Sequence, residues 1–384
     1  MRPLIRRVLP PISNARSAVT RIEVLVITVL GLFLLGTMLP SIQATRETGP
    51  LNTCRNNHSN LAKAVFSYQN RTGMRLPGYI NALTRNDGAL YIDPDTGEPT
   101  PVSWAVMILP DLDRQTTFEQ WRSLPDDSNA KAANVVQTGD NHLLRPSRPY
   151  IELFVCPSNC AGQRSGTPIN YSVNTGQADA PLSSTVPNTE TAGGLAIYGI
   201  PRDWRSNGLF FDIYTSDPQV TRDAMRRPPA VIMRSVLCRR PLDKILLLME
   251  NVDAGDYVLN VDRDSADDWR GAEATLGATW SADIVEPDGK TLRKRPQPPA
   301  LHPNERVGQG NGSDMAFARP SSRHPGGFNV AYVGQNVQFM SDKIDYYVYA
   351  KLMTTSDKDL MLPGTRTPIA ALGDFQPTDE QINP

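Results

Sequence analysis

The chain has 384 residues, of which 40% are hydrophobic and 21% are charged, and its formal net charge at pH 7 is −1. This balance gives no electrostatic reason to expect nucleic acid as a partner. The 33 prolines and 27 glycines argue against a plain helical bundle. The length leaves room for an anchor and one or two domains with a sizeable core.

The first 40 residues predict a membrane anchor. Residues 1–18 carry four arginines and no acidic residue, whereas residues 19–40 are almost wholly apolar or small. About 20 apolar residues span the ~30 Å hydrocarbon core of a bilayer, and the basic flank predicts a cytoplasmic N-terminus. We therefore expect a single-pass inner-membrane protein whose remaining chain is periplasmic or extracellular. A cleaved secretory signal peptide and an uncleaved signal anchor are the alternatives.

One acidic residue, Glu23, lies in the apolar segment 19–40. Burying a lone carboxylate at mid-bilayer costs roughly 2.5–3.5 kcal/mol, so Glu23 calls for a partner. The surrounding sequence resembles the type IV prepilin N-terminus, although Ala18 replaces the usual Gly, Val19 the commoner Phe, and Arg21 the usual Leu. The resemblance implies cleavage between Ala18 and Val19 by a prepilin peptidase, and N-terminal methylation. It also implies that Glu23, the fifth mature residue, pairs with the N-terminal amine of a neighbouring subunit.

Residues 41–75 predict an amphipathic continuation of the same helix. Leu51, Leu61, Val65 and Tyr68 partly follow a helical period. Gly73 is a suitable stop, and Gly49-Pro50 should break or bend the helix.

The later motifs resemble, in their order, a pseudopilin-like family that is abundant in planctomycete bacteria. This family is similar to the type II secretion pseudopilin G and carries a C-terminal His-x9-Asp-Gly signature. The matching residues are Leu39-Pro40, Gln43, Arg46-Glu47, Cys54, Asn56-Asn57, Leu61, Tyr68, Gly73, Pro77, Cys156-Pro157-Ser158, Tyr171, Asn207-Gly208, Glu250 and His324.

Several short elements are predicted between the helix and the C-terminus. Apolar runs bounded by turn residues are typical of buried strands, and Glu250 ends the longest of them. A strand-end carboxylate usually anchors a loop, and a catalytic role for Glu250 is the less favoured alternative. The predicted elements are a short helix or strand at 103–110, a β-rich run at 151–155, and strands at 169–176, 207–211 and 244–251.

The four cysteines are Cys54, Cys156, Cys160 and Cys238, an even number in a compartment expected to be oxidising. Four cysteines allow three pairings, and the sequence does not choose between them. A zinc site at Cys156 and Cys160 is the competing hypothesis, but no histidine lies at ligand spacing. A catalytic Cys156 would need a base that the sequence does not supply. Disulfides or buried thiols are therefore favoured over a metal.

Residues 322–340 predict a β-hairpin, followed by a closing helix. It matches the signature hairpin of the family, with His324, Gly326 and Gly327 in place. Gly334-Gln335 stands where the family has Asp-Gly. We expect Gly334 to supply the positive φ of the turn.

Two acidic stretches could attract calcium: residues 93–98, and the cluster Asp262, Asp264, Asp267 and Asp268. Neither has the full spacing of an EF-hand, so a turn and a solvated face are favoured, and no cofactor is expected. The chain shows no Ser-His-Asp order, phosphate-binding glycine loop or metal-ligand spacing, so an enzyme is not expected.

Together these patterns predict an α+β, pilin-like fold: a long N-terminal transmembrane helix packed on an antiparallel β-sheet with large loop insertions. The exported domain would cover residues 76–384. One hypothesis is a structural pseudopilin in a type II secretion or pilus-like assembly, with the lipid bilayer and other pilin-like subunits as partners. The other is a membrane-anchored module that binds a polysaccharide or another ligand without polymerising.

Overall fold

The chain divides into two units, Met1–Gly49 and Pro50–Pro384, which are described separately. A computed structural model describes residues 20–86, 88–92, 99–122, 149–159, 167–179, 191–192, 195–196, 203–214, 240–258, 269–281, 301–310, 314–356, 359–364, 368–369 and 377–382. Of these, residues 35–48, 191–192, 195–196 and 269–271 are described by their backbone alone.

The longest element is helix α1, Arg21–Arg71. The predicted break at Gly49-Pro50 is not found, since the helix covers both residues, although the boundary between the two units falls there. The stop at Gly73 is as predicted: this residue follows the helix with φ +73°. The other helices are α2 (Trp104–Met107), α3 (Gln115–Arg122), α4 (Trp269–Leu276), α5 (Tyr346–Met353) and α6 (Asp379–Ile382).

The part of the first unit that is described consists of the start of α1. Large apolar side chains from Ile22 to Leu34 are 47–74% exposed there. Among the described residues, no helix combines the length and the apolar character needed to cross a membrane.

The second unit contains a five-stranded sheet and two smaller pairs of strands. The strands are β1 (Ile80–Ala82), β2 (Pro101–Ser103), β3 (Tyr171–Gly176), β4 (Thr191–Ala192), β5 (Leu195–Ala196), β6 (Leu246–Glu250), β7 (Gly277–Thr279), β8 (Gly327–Tyr332) and β9 (Val337–Ser341). The order in the five-stranded sheet is β7-β3-β6-β8-β9. Three of its pairings are antiparallel, but β3 and β7 are parallel, so the sheet is mixed and not purely antiparallel as predicted. Two further pairs, β1–β2 and β4–β5, stand apart from it.

Apolar side chains cover both faces of the sheet, which explains why every residue of the central strand β6 is buried. Successive strand residues point to opposite faces. Leu248 therefore joins a core with Leu61 and Val65 of α1, whereas Met249 joins a second core with Leu352 of α5. The second half of α1 thus shares a core with one sheet face, and the closing helix with the other.

Two predicted strands take other forms. Residues Glu152–Phe154 make a short 3-10 helix instead of a strand. Residues 207–211 form no regular strand, and within the part of the chain that the structure describes the β contact next to them is an isolated bridge between Asp212 and Ile80. Residues 207–211 are buried, whereas Glu152 is exposed and Leu153 is half-buried, so the two runs differ in burial as well as in form. A short apolar run does not specify its partner.

Candidate functional site

A buried polar cluster joins four segments that lie far apart in sequence. It contains Cys54 of α1, Cys156, Glu250 at the end of β6, and His324 just before β8, none of them more than 5% exposed. Each residue contributes one sulfur, nitrogen or oxygen atom, and these four atoms all lie within 4.8 Å of one another. We call these four residues the polar cluster. It connects helix α1 to the central strand of the sheet.

One face of α1 supplies the first side of the cluster. Cys54, Asn57 and His58 are spaced i, i+3 and i+4, and residues at this spacing share a helix face. All three are buried, whereas Asn56 is exposed. Asn57 Nδ2 donates a hydrogen bond to the carbonyl oxygen of Val155 at 3.0 Å. Of the asparagine pair predicted from the sequence, only Asn57 faces the cluster.

Cys54 and Cys156 form a disulfide with a Cα–Cα distance of 5.1 Å. They are 102 residues apart in sequence. The backbone N–H of Cys156 also donates to Asn170 Oδ1 at 3.0 Å, which fixes the chain on the other side of the bridge. Cys160 and Cys238 lie outside the described residues.

Glu250 accepts hydrogen bonds from two groups of the hairpin strand β8. The backbone N–H of Asn329 donates to Oε2 at 2.9 Å, and its side-chain amide donates to Oε1 at 3.1 Å. His324 Nε2 lies 3.3 Å from Glu250 Oε1 and 3.5 Å from Cys156 Sγ. Burial alone would raise the pKa of Glu250, but the hydrogen bond with His324 and the nearby His58 lower it below its usual value.

His58 belongs beside the cluster and was not singled out from the sequence. Its ring meets that of Tyr171 edge-to-face at 4.7 Å, and its Nδ1 lies 3.2 Å from the carbonyl oxygen of Cys54. Burial lowers the pKa of His58, although Glu250 opposes this. The available sequence signal was its position four residues after Cys54 on an amphipathic helix.

The residues after Cys156 turn the chain away from the cluster. Pro157 is exposed and Ser158 is half-buried, and the backbone N–H of Asn159 donates to the carbonyl oxygen of Cys156 at 2.9 Å. These motif residues therefore shape a turn and do not enter the cluster.

The three motif glycines of the hairpin differ in role. Gly326 has φ +79°, whereas a Cβ on Gly327 would lie 2.0 Å from the carbonyl oxygen of Met340, so only glycine fits beside strand β9. The prediction for Gly334 is wrong, because the positive φ of +68° belongs to Gln335. The Gln335 N–H donates to the Tyr332 carbonyl at 2.9 Å. A turn of this kind places its left-handed residue last.

A second group of buried carboxyl groups lies elsewhere in the second unit. The Tyr79 hydroxyl donates to Asp179 at 2.8 Å, and the backbone N–H of Asp179 donates to Glu273 at 3.0 Å. Asp203 accepts hydrogen bonds from the backbone N–H of Trp204 at 2.7 Å and the Asn207 amide at 2.6 Å. Burial, reinforced by Asp179, raises the pKa of Asp203 well above its usual range. These bonds fix loops to one another and to helix α4, which carries Glu273.

A surface groove of about 310 Å³ lies next to the disulfide. Asn57, Val155 and Pro157 line one part of it, and Arg114 and Glu152 supply charges.

The other predicted site residue, Glu23, lies at the start of α1. The backbone N–H of Thr20 donates to Glu23 Oε2 at 2.8 Å, and the backbone N–H of Glu23 donates to the Thr20 hydroxyl oxygen at 3.3 Å. This reciprocal pair is a capping box, which satisfies two backbone donors of the first helical turn. Ala18, Val19, residues 93–98 and the acidic cluster at 262–268 lie outside the described residues.

The geometry of the polar cluster suits holding elements together more than acting on a substrate. Its members are buried, they bond to one another, and the disulfide and the Glu250 carboxylate each join two elements.

A family model described as SBP_bac_10, "Protein of unknown function (DUF1559)", matches residues 43–220. The match begins in α1 and includes both cysteines of the disulfide, but it ends before Glu250 and His324. No curated protein matches the chain. No solved structure matches it either.

Proposed function

We propose that this protein is a non-enzymatic, membrane-anchored pilin-like subunit. In this proposal residues 19–40 lie in the inner membrane, and the second unit lies in the periplasm or outside the cell. The subunit assembles with other pilin-like subunits through the start of α1, in a type II secretion or pilus-like structure.

The observation that carries the proposal is the apolar surface at the start of α1. Ten of the 13 large apolar side chains that are exposed in the described chain lie between Ile22 and Leu34. A contiguous exposed apolar surface of this kind is rare on a protein that stays in water, and it marks contact with lipid or with another protein. In a pilin-like subunit this apolar surface would be covered by lipid or by the helices of neighbouring subunits.

Glu23 allows the assembly role to be separated from a local structural role. In a single chain its carboxylate is already used in the capping box with Thr20. Glutamine also serves at this position of a capping box. Glu23→Gln therefore keeps the cap and removes only the charge that would pair with a neighbouring amine.

The experiment compares the full chain with Glu23→Gln and, as a control for the cap, Thr20→Ala. Each is produced in its native membrane, and assembly is measured by chemical cross-linking and by sedimentation after detergent extraction. We expect Glu23→Gln to lose cross-linked oligomers and Thr20→Ala to keep them. N-terminal sequencing of the same material should find a chain that begins at Val19. Normal oligomers with Glu23→Gln would contradict the assembly role of the charge.

The groove next to the disulfide favours a second candidate, a membrane-anchored module that binds a polysaccharide or another ligand. Its volume of about 310 Å³ is at the small end of ligand pockets. The same experiment separates the two functions. A wild-type chain that is anchored in the membrane but always monomeric would favour the binding module.

A further inference from the structure

We propose that, when the Cys54–Cys156 disulfide is reduced, the polar cluster is a tetrahedral site for Zn²⁺ or a similar divalent transition metal. The ligands would be the sulfurs of Cys54 and Cys156, His324 Nε2 and Glu250 Oε1. This site is independent of the proposed function, because it concerns the internal structure of one chain.

The ligand types fit the metal. Cysteine sulfur, histidine nitrogen and carboxylate oxygen are the donors that zinc takes in proteins, usually four in a tetrahedron. The polar cluster supplies one donor atom from each of four residues, and all four atoms lie within 4.8 Å of one another. No local motif points to this set, because each ligand comes from a different segment of the chain.

The distances also fit. With Zn–S near 2.3 Å and Zn–N and Zn–O near 2.0–2.1 Å, the edges of a tetrahedron are about 3.3 Å between nitrogen and oxygen and about 3.6 Å between sulfur and nitrogen. The structure has His324 Nε2 at 3.3 Å from Glu250 Oε1 and at 3.5 Å from Cys156 Sγ. The two sulfurs would move apart to about 3.8 Å by side-chain rotation.

The surroundings already hold one ligand in place. Asn329 donates two hydrogen bonds to Glu250, one to each carboxylate oxygen. Partners of this kind orient metal ligands, and their loss typically weakens metal binding by about 10–100-fold. All four ligands are buried, so the site would also be shielded from water.

The chemistry is balanced with a dithiol as reductant. The dithiol transfers two electrons and two protons to the disulfide, giving two thiols and an oxidised dithiol. Metal binding then releases the two thiol protons, because thiolates are the ligands. The metal would take over the role of the disulfide, holding α1 to the sheet before oxidation or after reduction.

The test uses the full chain in detergent with Cys160→Ser and Cys238→Ser, so that Cys54 and Cys156 are the only thiols. The protein is reduced with a dithiol, freed of reductant without air, and titrated with Co²⁺ as a spectroscopic probe. We expect one Co²⁺ per chain, with the visible absorption of a tetrahedral ion and a thiolate charge-transfer band. Zn²⁺ should displace it, and the oxidised protein should show neither band.

Two substitutions test the other ligands. We expect His324→Ala and Glu250→Gln to weaken Co²⁺ binding by at least ~100-fold, and Asn329→Ala by about 10–100-fold. Asn329→Ala keeps all four ligands, so it tests the site even if a ligand variant does not fold. Absence of a tetrahedral thiolate spectrum in the reduced protein would overturn the proposal. Equal binding by the reduced parent and all three variants would overturn it as well.

Discussion

The disulfide between Cys54 and Cys156 offers the most direct test of how α1 is attached to the sheet. We consider the double variant Cys54→Ala/Cys156→Ala, which removes the bridge and leaves no single thiol beside His324. The two residues are 102 positions apart, so the bridge closes a long loop in the unfolded chain. Its removal increases the conformational entropy of that chain and so lowers the free energy of unfolding.

For a loop of this length the chain-entropy relation gives about 4.7 kcal/mol at 25 °C, and losses of a native disulfide are typically about 2–5 kcal/mol. We therefore expect the double variant to lose at least about 2 kcal/mol. Most of the remaining contacts of this region, such as the bond from Asn57 to Val155, stay in place.

The assay is urea unfolding of the full chain in detergent, followed by tryptophan fluorescence. The control carries Cys160→Ser and Cys238→Ser, which should leave the stability contributed by this bridge intact. Wild-type protein reduced in the presence of a metal chelator should unfold near the double variant. A double variant within about 0.5 kcal/mol of wild type would refute the reasoning, because the bridge would then not constrain the unfolded chain.

Three further predictions concern the hairpin and the buried carboxyl group. Gln335→Gly should raise the free energy of unfolding by about 1 kcal/mol, because glycine adopts the positive φ that strains glutamine; an unchanged urea midpoint would contradict this. Gly327→Ala should lower the free energy of unfolding by about 3 kcal/mol or more, since its Cβ would meet the Met340 carbonyl. Gly326→Ala should lower it by only about 1–2 kcal/mol, through backbone strain. Equal losses of stability for the two variants in thermal unfolding would refute the steric argument. The pKa of Asp203 is raised in the folded protein, so above about pH 4 the folded protein binds more protons at this residue than the unfolded protein does. The contribution of Asp203 to the free energy of unfolding therefore falls as the pH rises above about 4. Asp203→Asn should remove this share of the pH dependence, and a slope equal to that of wild type would show that the carboxyl is not held protonated.

Local patterns in the sequence were enough to find several elements of the second unit, among them its central strand and its hairpin. The apolar run at 244–251 became the central strand β6, and the alternation after Gly327 became the β8–β9 hairpin. The stop of α1 before Gly73 followed from glycine's access to positive φ. These features depend on residues that are close in sequence, so the sequence carries them directly.

Patterns over a few residues were less reliable where neighbours decide the conformation. The run at 152–154 forms a 3-10 helix and not a strand, and the positive φ of the hairpin falls on Gln335 instead of Gly334. In each case two conformations have similar local energies, and packing against distant segments stabilises one of them.

Patterns of neighbouring side chains identify the basic N-terminus, the apolar segment 19–40, the amphipathic face of α1 and the individual motif residues. The pairing of Cys54 with Cys156, and the position of Glu250 and His324 against that bridge, become visible in the folded chain. The parallel pairing of β7 with β3 does so as well. Contacts between segments about 100 or more residues apart depend on how strands order within the sheet and on which helix face turns inward. A pattern of neighbouring residues does not specify the strand order or the buried helix face.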